Sequence, residues 1–196
     1  MIRYRTLVVD PPWPQKGGGP LKGGHGEGFV GTTGSQPMPY RTMSIAEIKA
    51  LRVADVADAG CHLYLWTTNG FLRDAFDVVK AWGFTFSTLL TWAKKPMGGG
   101  LGGAYGISSE YILFARRGTL PALSRVSGTW FNWKRPYDKR GKPMHSGKPP
   151  EFFEMVETVS PGPRLEMFAR RSREGWDSWG DQAPASVDLS ALDGAA

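Results

Sequence analysis

Apolar residues fall in short runs broken by turn residues. Leu7-Val8-Val9 sits inside Arg3 to Asp10, which reads as a strand. Pro11 and Pro12 cannot continue a hydrogen-bonded ladder, so that strand ends at Asp10. Cys61 to Thr67, Phe84 to Ala93, Glu110 to Ala115 and Arg164 to Ala169 read as further strands. Helical spacing of Phe71, Ala75, Val78, Val79 and Trp82 predicts a helix over Phe71 to Trp82. Ser44-Ile45-Ala46-Glu47 has the form of a capping box and predicts a short helix. Glu151 to Val159 reads as a helix, opened by Pro149-Pro150 and ended near Pro161-Gly162.

Strands alternating with helices predict an α/β sheet built on crossover connections. Neither a repeat nor a domain linker interrupts it, so residues 1–182 read as one domain and the small, polar stretch 183–196 as a loose tail. Residues 14–39, 96–106 and 120–149 carry little periodicity. A loop as long as 14–39 inside a compact domain is usually functional or disordered.

Composition narrows the class. The 196 residues, 41% of them hydrophobic, suffice for a packed core and exclude a disordered chain. The one cysteine, Cys61, excludes an internal disulfide framework. Neither a signal peptide nor an apolar run near the ~20 residues of a membrane span is present. The expectation is a soluble, cytoplasmic protein with no membrane partner. A net charge of +6 favours a polyanionic partner. Its distribution is more telling. Lys134, Arg135, Lys139, Arg140, Lys142 and Lys148 stand against one acid, Asp138, with Trp130, Phe131, Trp133 and Tyr137 among or just before them. Cations hold phosphates and aromatic faces stack on unpaired bases. A solvated loop with a few buried aromatics is the plainer alternative.

Asp10-Pro11-Pro12-Trp13 carries the chemistry. It follows a strand, where ligands bind in open α/β sheets. An adenine-type amino group is a poor nucleophile because its lone pair is delocalised into the ring. Two acceptors bonded to its hydrogens localise that pair and stabilise the charge that develops during attack. The Asp10 carboxylate and the Pro11 carbonyl are candidates for those acceptors. The two prolines fix the backbone, and Trp13 would offer the base a flat surface. A duplex target would have to flip its base outward to reach such a pocket.

Other signals are weaker. Gly98, Gly100 and Gly103 satisfy a dinucleotide-type glycine pattern, but no helix opens after them. His25, His62, His145 and Cys61 lack metal-ligand spacing, so no metal site is expected. Trp66, Trp82 and Trp92 read as core, and Trp176 and Trp179 as packing at the end of the sheet.

At this point the chain resembles the MT-A-type adenine methyltransferases, named for the catalytic subunit of the eukaryotic messenger-RNA adenosine methylase. The resemblance runs from Leu7 to Gln182. It rests on Asp10-Pro11-Pro12-Trp13, Pro39-Tyr40-Arg41-Thr42-Met43-Ser44, Leu65-Trp66-Thr67, Trp82-Gly83-Phe84 and Thr91-Trp92-Ala93-Lys94. Further on come Glu110-Tyr111-Ile112-Leu113, His145-Ser146-Gly147-Lys148-Pro149, Ser160-Pro161-Gly162 and Leu165-Glu166-Met167-Phe168-Ala169-Arg170.

The resemblance implies a Rossmann-like, S-adenosylmethionine-dependent methyltransferase sheet with helices on both faces and a circularly permuted motif order. S-adenosylmethionine would be the methyl donor and S-adenosylhomocysteine the product. Asp10 and Pro11 would hold the target amino group, with Pro12 and Trp13 completing the pocket. Asp10 would also border the cofactor. Tyr40 would lie beside adenine and cofactor, Glu110 near the target base, and Lys148 near the methionine portion. Glu166 ends the strand presenting the cofactor. Phe168, Arg170, Ser172, Arg173, Asp181 and Gln182 would line its ribose and adenine. The chain departs from the family at Ala169, where glycine is usual, and at Asp181, where asparagine is usual.

The expected reaction is methylation of the 6-amino group of adenine in nucleic acid. Lys139, Arg140 and Lys142 are the candidate phosphate contacts. Small size and the lack of an added RNA-binding module lean toward DNA, with RNA and a non-catalytic binding subunit as alternatives. Self-association as a homodimer, or pairing with a related subunit, is a further expectation.

Overall fold

The computed structural model describes residues 2–14, 41–94, 107–137, 140–141, 144, 147–180, 183 and 187. The chain runs β1 (Tyr4–Val9), α1 (Ile45–Ala50), α2 (Val53–Val56), β2 (Ala57–Thr68), α3 (Leu72–Ala81), β3 (Thr85–Ala93), β4 (Ser109–Arg117), β5 (Trp130–Phe131), α4 (Pro150–Val159), β6 (Arg164–Met167) and β7 (Asp177–Trp179). A 3-10 turn at Asn69–Phe71 leads into α3.

The strands form one seven-stranded sheet in the order β5-β3-β4-β2-β1-β6-β7. β1 lies parallel to both β2 and β6, and β7 is parallel to β6. β4 runs antiparallel to β2 and β3. The sheet is therefore mixed, and the expectation of crossovers throughout is corrected for this half. Antiparallel neighbours need no crossover helix.

Central strands are buried on both faces, which is why β1 reads as a continuous apolar run rather than an alternation. Leu7, Val9, Cys61, Leu63 and Leu65 face one core, where Ile48 of α1, Val53 of α2 and Ala75, Val78 and Val79 of α3 cover them. Val8, Tyr64 and Trp66 face the other, under Phe152, Phe153 and Val156 of α4. Helices thus lie on both faces. The capping box at Ser44 forms, with Ser44 accepting from Glu47 N–H and Glu47 reaching back to Ser44 N–H.

Several elements escape the sequence pattern. α2, β5 and β7 are four residues or fewer, too short to show a period. β6 stops at Met167, two residues before the expected Ala169, because Phe168 adopts φ +61°. That is the left-handed region, which a strand cannot pass through.

Cys61 and His62 point to opposite faces as expected, and both are buried. His62 Nδ1 lies 2.8 Å from Ser160 Oγ, and its Nε2 lies 3.0 Å from the Leu120 carbonyl. Tyr64 Oη joins the same Ser160 hydroxyl at 2.8 Å. Burial lowers the His62 pKa, so the ring is a neutral clamp between β2, the C-terminal end of α4 and the segment after β4.

Candidate active site

The parallel register brings the C-terminal ends of β1, β2, β6 and β7 to one edge of the sheet. The antiparallel pairing adds the end of β3 and the start of β4. β1 is flanked by β2, reached through α1 and α2 on one face, and by β6, reached through α4 on the other. Asp10 follows β1 at this switch point, where open α/β sheets place their ligands.

Lys148 Nζ lies 3.0 Å from Asp10 Oδ2 and 3.3 Å from Glu110 Oε2. Lys94 pairs with the other oxygen of Glu110. Four charges therefore alternate across the edge in the order Lys94, Glu110, Lys148, Asp10. Both ammonium groups rest on indoles. Lys94 Nζ is 4.7 Å from the Trp92 ring centroid, and Lys148 Nζ is 4.7 Å from that of Trp66. The two indoles meet edge to face at 5.9 Å.

These contacts set the charge states. Burial pushes the Asp10 carboxyl up, and the Lys148 ammonium opposes that shift. Burial acts the same way on Glu110, but Lys148 and Lys94 outweigh it and hold the carboxyl below its usual range. Burial alone would lower the Lys148 pKa, yet Asp10 and Glu110 carry it above the ordinary lysine value. Glu166, on β6, is pushed up to about 7 by burial, against the opposing charge of Arg173.

The turn after Asp10 is pinned at several points. Trp13 N–H donates to the Pro11 carbonyl at 2.8 Å, which uses one of that oxygen's two lone pairs. Met43 N–H donates to the Pro12 carbonyl at 2.9 Å. Trp13 Nε1 donates to the Trp66 carbonyl at 3.0 Å. Trp13 is only 9% exposed, and its ring stacks on Phe71 at 5.5 Å. This corrects the expectation of an open platform for the base: the indole is built into the core and anchors the turn.

Other predicted residues divide between the edge and its flank. Phe168 follows β6 and packs edge to face on Trp179 at 5.1 Å. The charge of Arg170 reaches Asp10. Ser172 and Arg173 line an open cavity of about 600 Å³ with Pro150, Glu157, Arg171 and Glu174. The Arg173 guanidinium lies 3.7 Å from the Phe153 ring centroid, on the α4 side. Tyr40, Lys139, Lys142, Asp181 and Gln182 lie outside the described residues, as does the glycine pattern at 98–103.

The basic aromatic segment splits between the core and the surface. Phe131 and Trp133 turn inward, stack at 4.2 Å and pack on the second core. Trp130 and Tyr137 turn outward, 63% and 59% exposed, and Arg140 is exposed too. The expectation of four base-stacking aromatics is thereby reduced to two.

Sequence reasoning passed over Lys94 and Trp66 as site residues. Trp66 lies in the core, as its apolar surroundings predict, but its face also carries Lys148. Lys94 had a signal in its place at the end of a strand.

The residues at the edge suit S-adenosylmethionine. Lys148 and Arg170 would offer cations to its carboxylate, and Glu166 would offer an acceptor to its hydroxyls or ammonium. Gly180 permits the close approach of the strand exits. A Cβ there would lie 2.7 Å from the backbone nitrogen and oxygen of Ala169. Among the described residues no cluster could hold a metal ion, and no helix is long and apolar enough to cross a membrane.

A mixed α/β sheet with helices on both faces is the architecture of a Rossmann-like methyltransferase fold. The family model MT-A70 matches residues 4–182. The chain belongs to the MT-A70 family, adenine methyltransferases with S-adenosylmethionine as methyl donor. It is 26% identical over 193 residues to the Type II methyltransferase M.MunI of Mycoplasma sp, covering 93% of this chain and 78% of that protein. An N(6)-adenosine-methyltransferase MT-A70-like protein of Drosophila melanogaster is 26% identical over 92% of this chain and 27% of its own length. The mouse N(6)-adenine-specific methyltransferase METTL4 is 24% identical over 91% and 37%. The chain thus spans most of the bacterial relative but well under half of the animal ones.

Proposed function

We propose that this chain methylates the exocyclic 6-amino group of adenine in nucleic acid, with Asp10 and the Pro11 carbonyl as the acceptors of its two N–H groups. The observation that carries this is Asp10 at the end of β1, held at 3.0 Å by Lys148 beside a carbonyl fixed by two prolines. The Asp10 carboxylate draws electron density into the amino nitrogen and offsets the positive charge that forms there. The second lone pair of the Pro11 carbonyl orients the other hydrogen. S-adenosylmethionine supplies an electrophilic methyl group. Lys148, Glu166, Phe168 and Arg170 are the residues we assign to holding it, with Ser172, Arg173, Asp181 and Gln182 toward its nucleoside end. The strand leading to Asp10 precedes the strand bearing Glu166, and we read this as the motif order of a circularly permuted methyltransferase.

The expectation from sequence was DNA. The relatives lean toward RNA: proteins from Medicago truncatula, Drosophila melanogaster and Oryza sativa are named for N(6)-adenosine, the ribonucleoside. We place RNA first. One observation keeps DNA as the second reading: the match to a Type II methyltransferase extends over 78% of that protein's length. Pairing with a second copy or a related subunit belongs to the same proposal, and sedimentation reads it.

The test is methyl transfer from labelled S-adenosylmethionine to matched RNA and DNA, single- and double-stranded, followed by base analysis. N6-methyladenine in RNA supports the first reading and in DNA the second. Full activity of Asp10→Ala in the same assay would overturn the role of Asp10.

A further inference from the structure

We propose that Lys94 is a positioning residue which, through Glu110, sets Lys148 against Asp10 and so holds the acceptor carboxylate charged and in place. The inference rests on the reading of Asp10 given above. Lys94 stands just past the end of β3, and its backbone N–H donates to the Ser108 carbonyl at 2.7 Å, next to the start of β4. Trp92 and Glu110 are register partners on those strands. The side chains of Lys94 and Glu110 are therefore brought together by the ladder itself. Glu110 gives one carboxylate oxygen to each lysine. Lys148 in turn divides its ammonium between Glu110 and Asp10.

The charges on the four side chains sum to zero. Without Lys94 they sum to −1, and two carboxylates compete for one ammonium. Glu110 loses the partner of one oxygen and draws Lys148 harder, at the expense of Asp10. A buried carboxylate that loses its cation gains proton affinity. The other charges near Asp10 stay as they are: Arg170 beyond β6, and Glu166 on β6 with Arg173 and Arg171. Burial already raises the proton affinity of Asp10, so its charge depends on Lys148. The indole of Trp92 would still support an uncharged stem at position 94.

The experiment is the pH profile of kcat for methyl transfer to an adenine-bearing oligonucleotide, in the full chain. Lys94→Met is expected to move the acid limb up by about one unit. It would lower kcat about tenfold on that limb, recovering at high pH, with KM changed less than twofold. Lys94→Arg keeps the wild-type profile. In a Glu110→Gln background Lys94→Met adds nothing, because the connection is already cut. The same shift is read without catalysis. The pH dependence of unfolding free energy, compared with and without Asp10→Asn, gives the folded-state titration of Asp10 in each background.

A Lys94→Met profile that overlays the wild type, a loss equal at every pH, or full additivity with Glu110→Gln would overturn the proposal. If Lys94→Met fails to fold, Glu110→Gln must itself move the Asp10 titration downward, because it removes the carboxylate that competes for Lys148, and an unmoved or raised titration would overturn it. Asp10→Asn separates the two levels. If that variant keeps full activity, the reading of Asp10 has failed. If it is inactive while Lys94→Met behaves as wild type, only the role of Lys94 has.

Discussion

Lys148 meets the Asp10 carboxylate at 3.0 Å while its ammonium lies 4.7 Å above the Trp66 ring. The pairing resolves a conflict built into the site. A cleft that excludes water strengthens every interaction with a developing charge, but it also favours the protonated form of the carboxyl that must act as acceptor. Asp10 lies at the end of β1, Lys148 just before α4 and Trp66 on β2, so two neighbouring strands and the approach to α4 converge on one charge pair.

Lys148→Met should therefore lower kcat on the order of 10²-fold near neutral pH, comparable to the loss of one donor in other charge-stabilising sites. Lys148→Arg should recover part of the loss, since it keeps the charge but brings a planar fork into a slot shaped for an ammonium. Single-turnover transfer of labelled methyl separates this effect from weaker cofactor binding. A Lys148→Met chain with wild-type kcat would remove the pair from the mechanism.

Trp13 tests the anchoring of the turn. Trp13→Ala removes the stack on Phe71 and the bond to the Trp66 carbonyl, and should cost about 3–5 kcal/mol in urea unfolding. Trp13→Phe keeps a ring and loses the donor, and should cost about 1 kcal/mol. If the two variants are equally stable, the indole is not holding the turn.

Much of this site was legible in the sequence. β1 and its two prolines read correctly because a buried strand and a ladder breaker are local signals. The helix over Phe71 to Trp82 and the capping box at Ser44 read correctly for the same reason. What the sequence hid is non-local. Nothing around Lys94 says that β3 pairs antiparallel with β4 and delivers its ammonium to Glu110. Nothing around Trp13 says that Phe71, far along the chain, will cover its ring. The packing that turns Phe131 and Trp133 inward needs a neighbouring strand to define the inside, and that strand is β3. β7 escaped because three residues, one of them a buried serine, carry no period.

Gly180 offers a test of the cofactor edge that leaves the acceptor turn alone. A Cβ at this position would meet the Ala169 backbone at 2.7 Å, and neither backbone atom can swing away. Gly180→Ala should cost about 1–3 kcal/mol of stability, as overpacking does. Calorimetry should also show weaker S-adenosylmethionine binding, because the exits of β6 and β7 are forced apart. Unchanged stability and unchanged affinity together would show that the two exits yield freely.

Burial pushes the Glu166 carboxyl up to about 7 in the folded chain, against an ordinary 4.5. A raised carboxyl binds its proton more tightly when folded. Its contribution to stability is full below about 4.5 and is lost as pH rises through about 7. Glu166→Gln has no such loss. The variant should be close to wild type at pH 5 and more stable by on the order of 2 kcal/mol at pH 8. Asp10, also raised by burial, contributes in the same direction in both chains. Denaturant unfolding at the two pH values reads the difference. A constant offset between them would contradict the burial of Glu166.

Neutralising Lys139, Arg140 and Lys142 tests the basic segment as a phosphate contact. Arg140 is exposed in the structure, and the outward Trp130 and Tyr137 lie in the same segment. If all three cations release counterions from the nucleic acid, the triple glutamine variant should flatten the plot of log K against log salt by about two to three. Binding should weaken alike for all sequences, because phosphate contacts position without reading bases. Trp130→Ala should leave the salt slope alone and weaken single-stranded ligands more than duplexes, because stacking needs an unpaired base. Fluorescence titration over a range of salt concentrations reads both effects. A triple variant with the wild-type slope would take this loop off the binding surface and leave the +6 charge to act from elsewhere on the molecule.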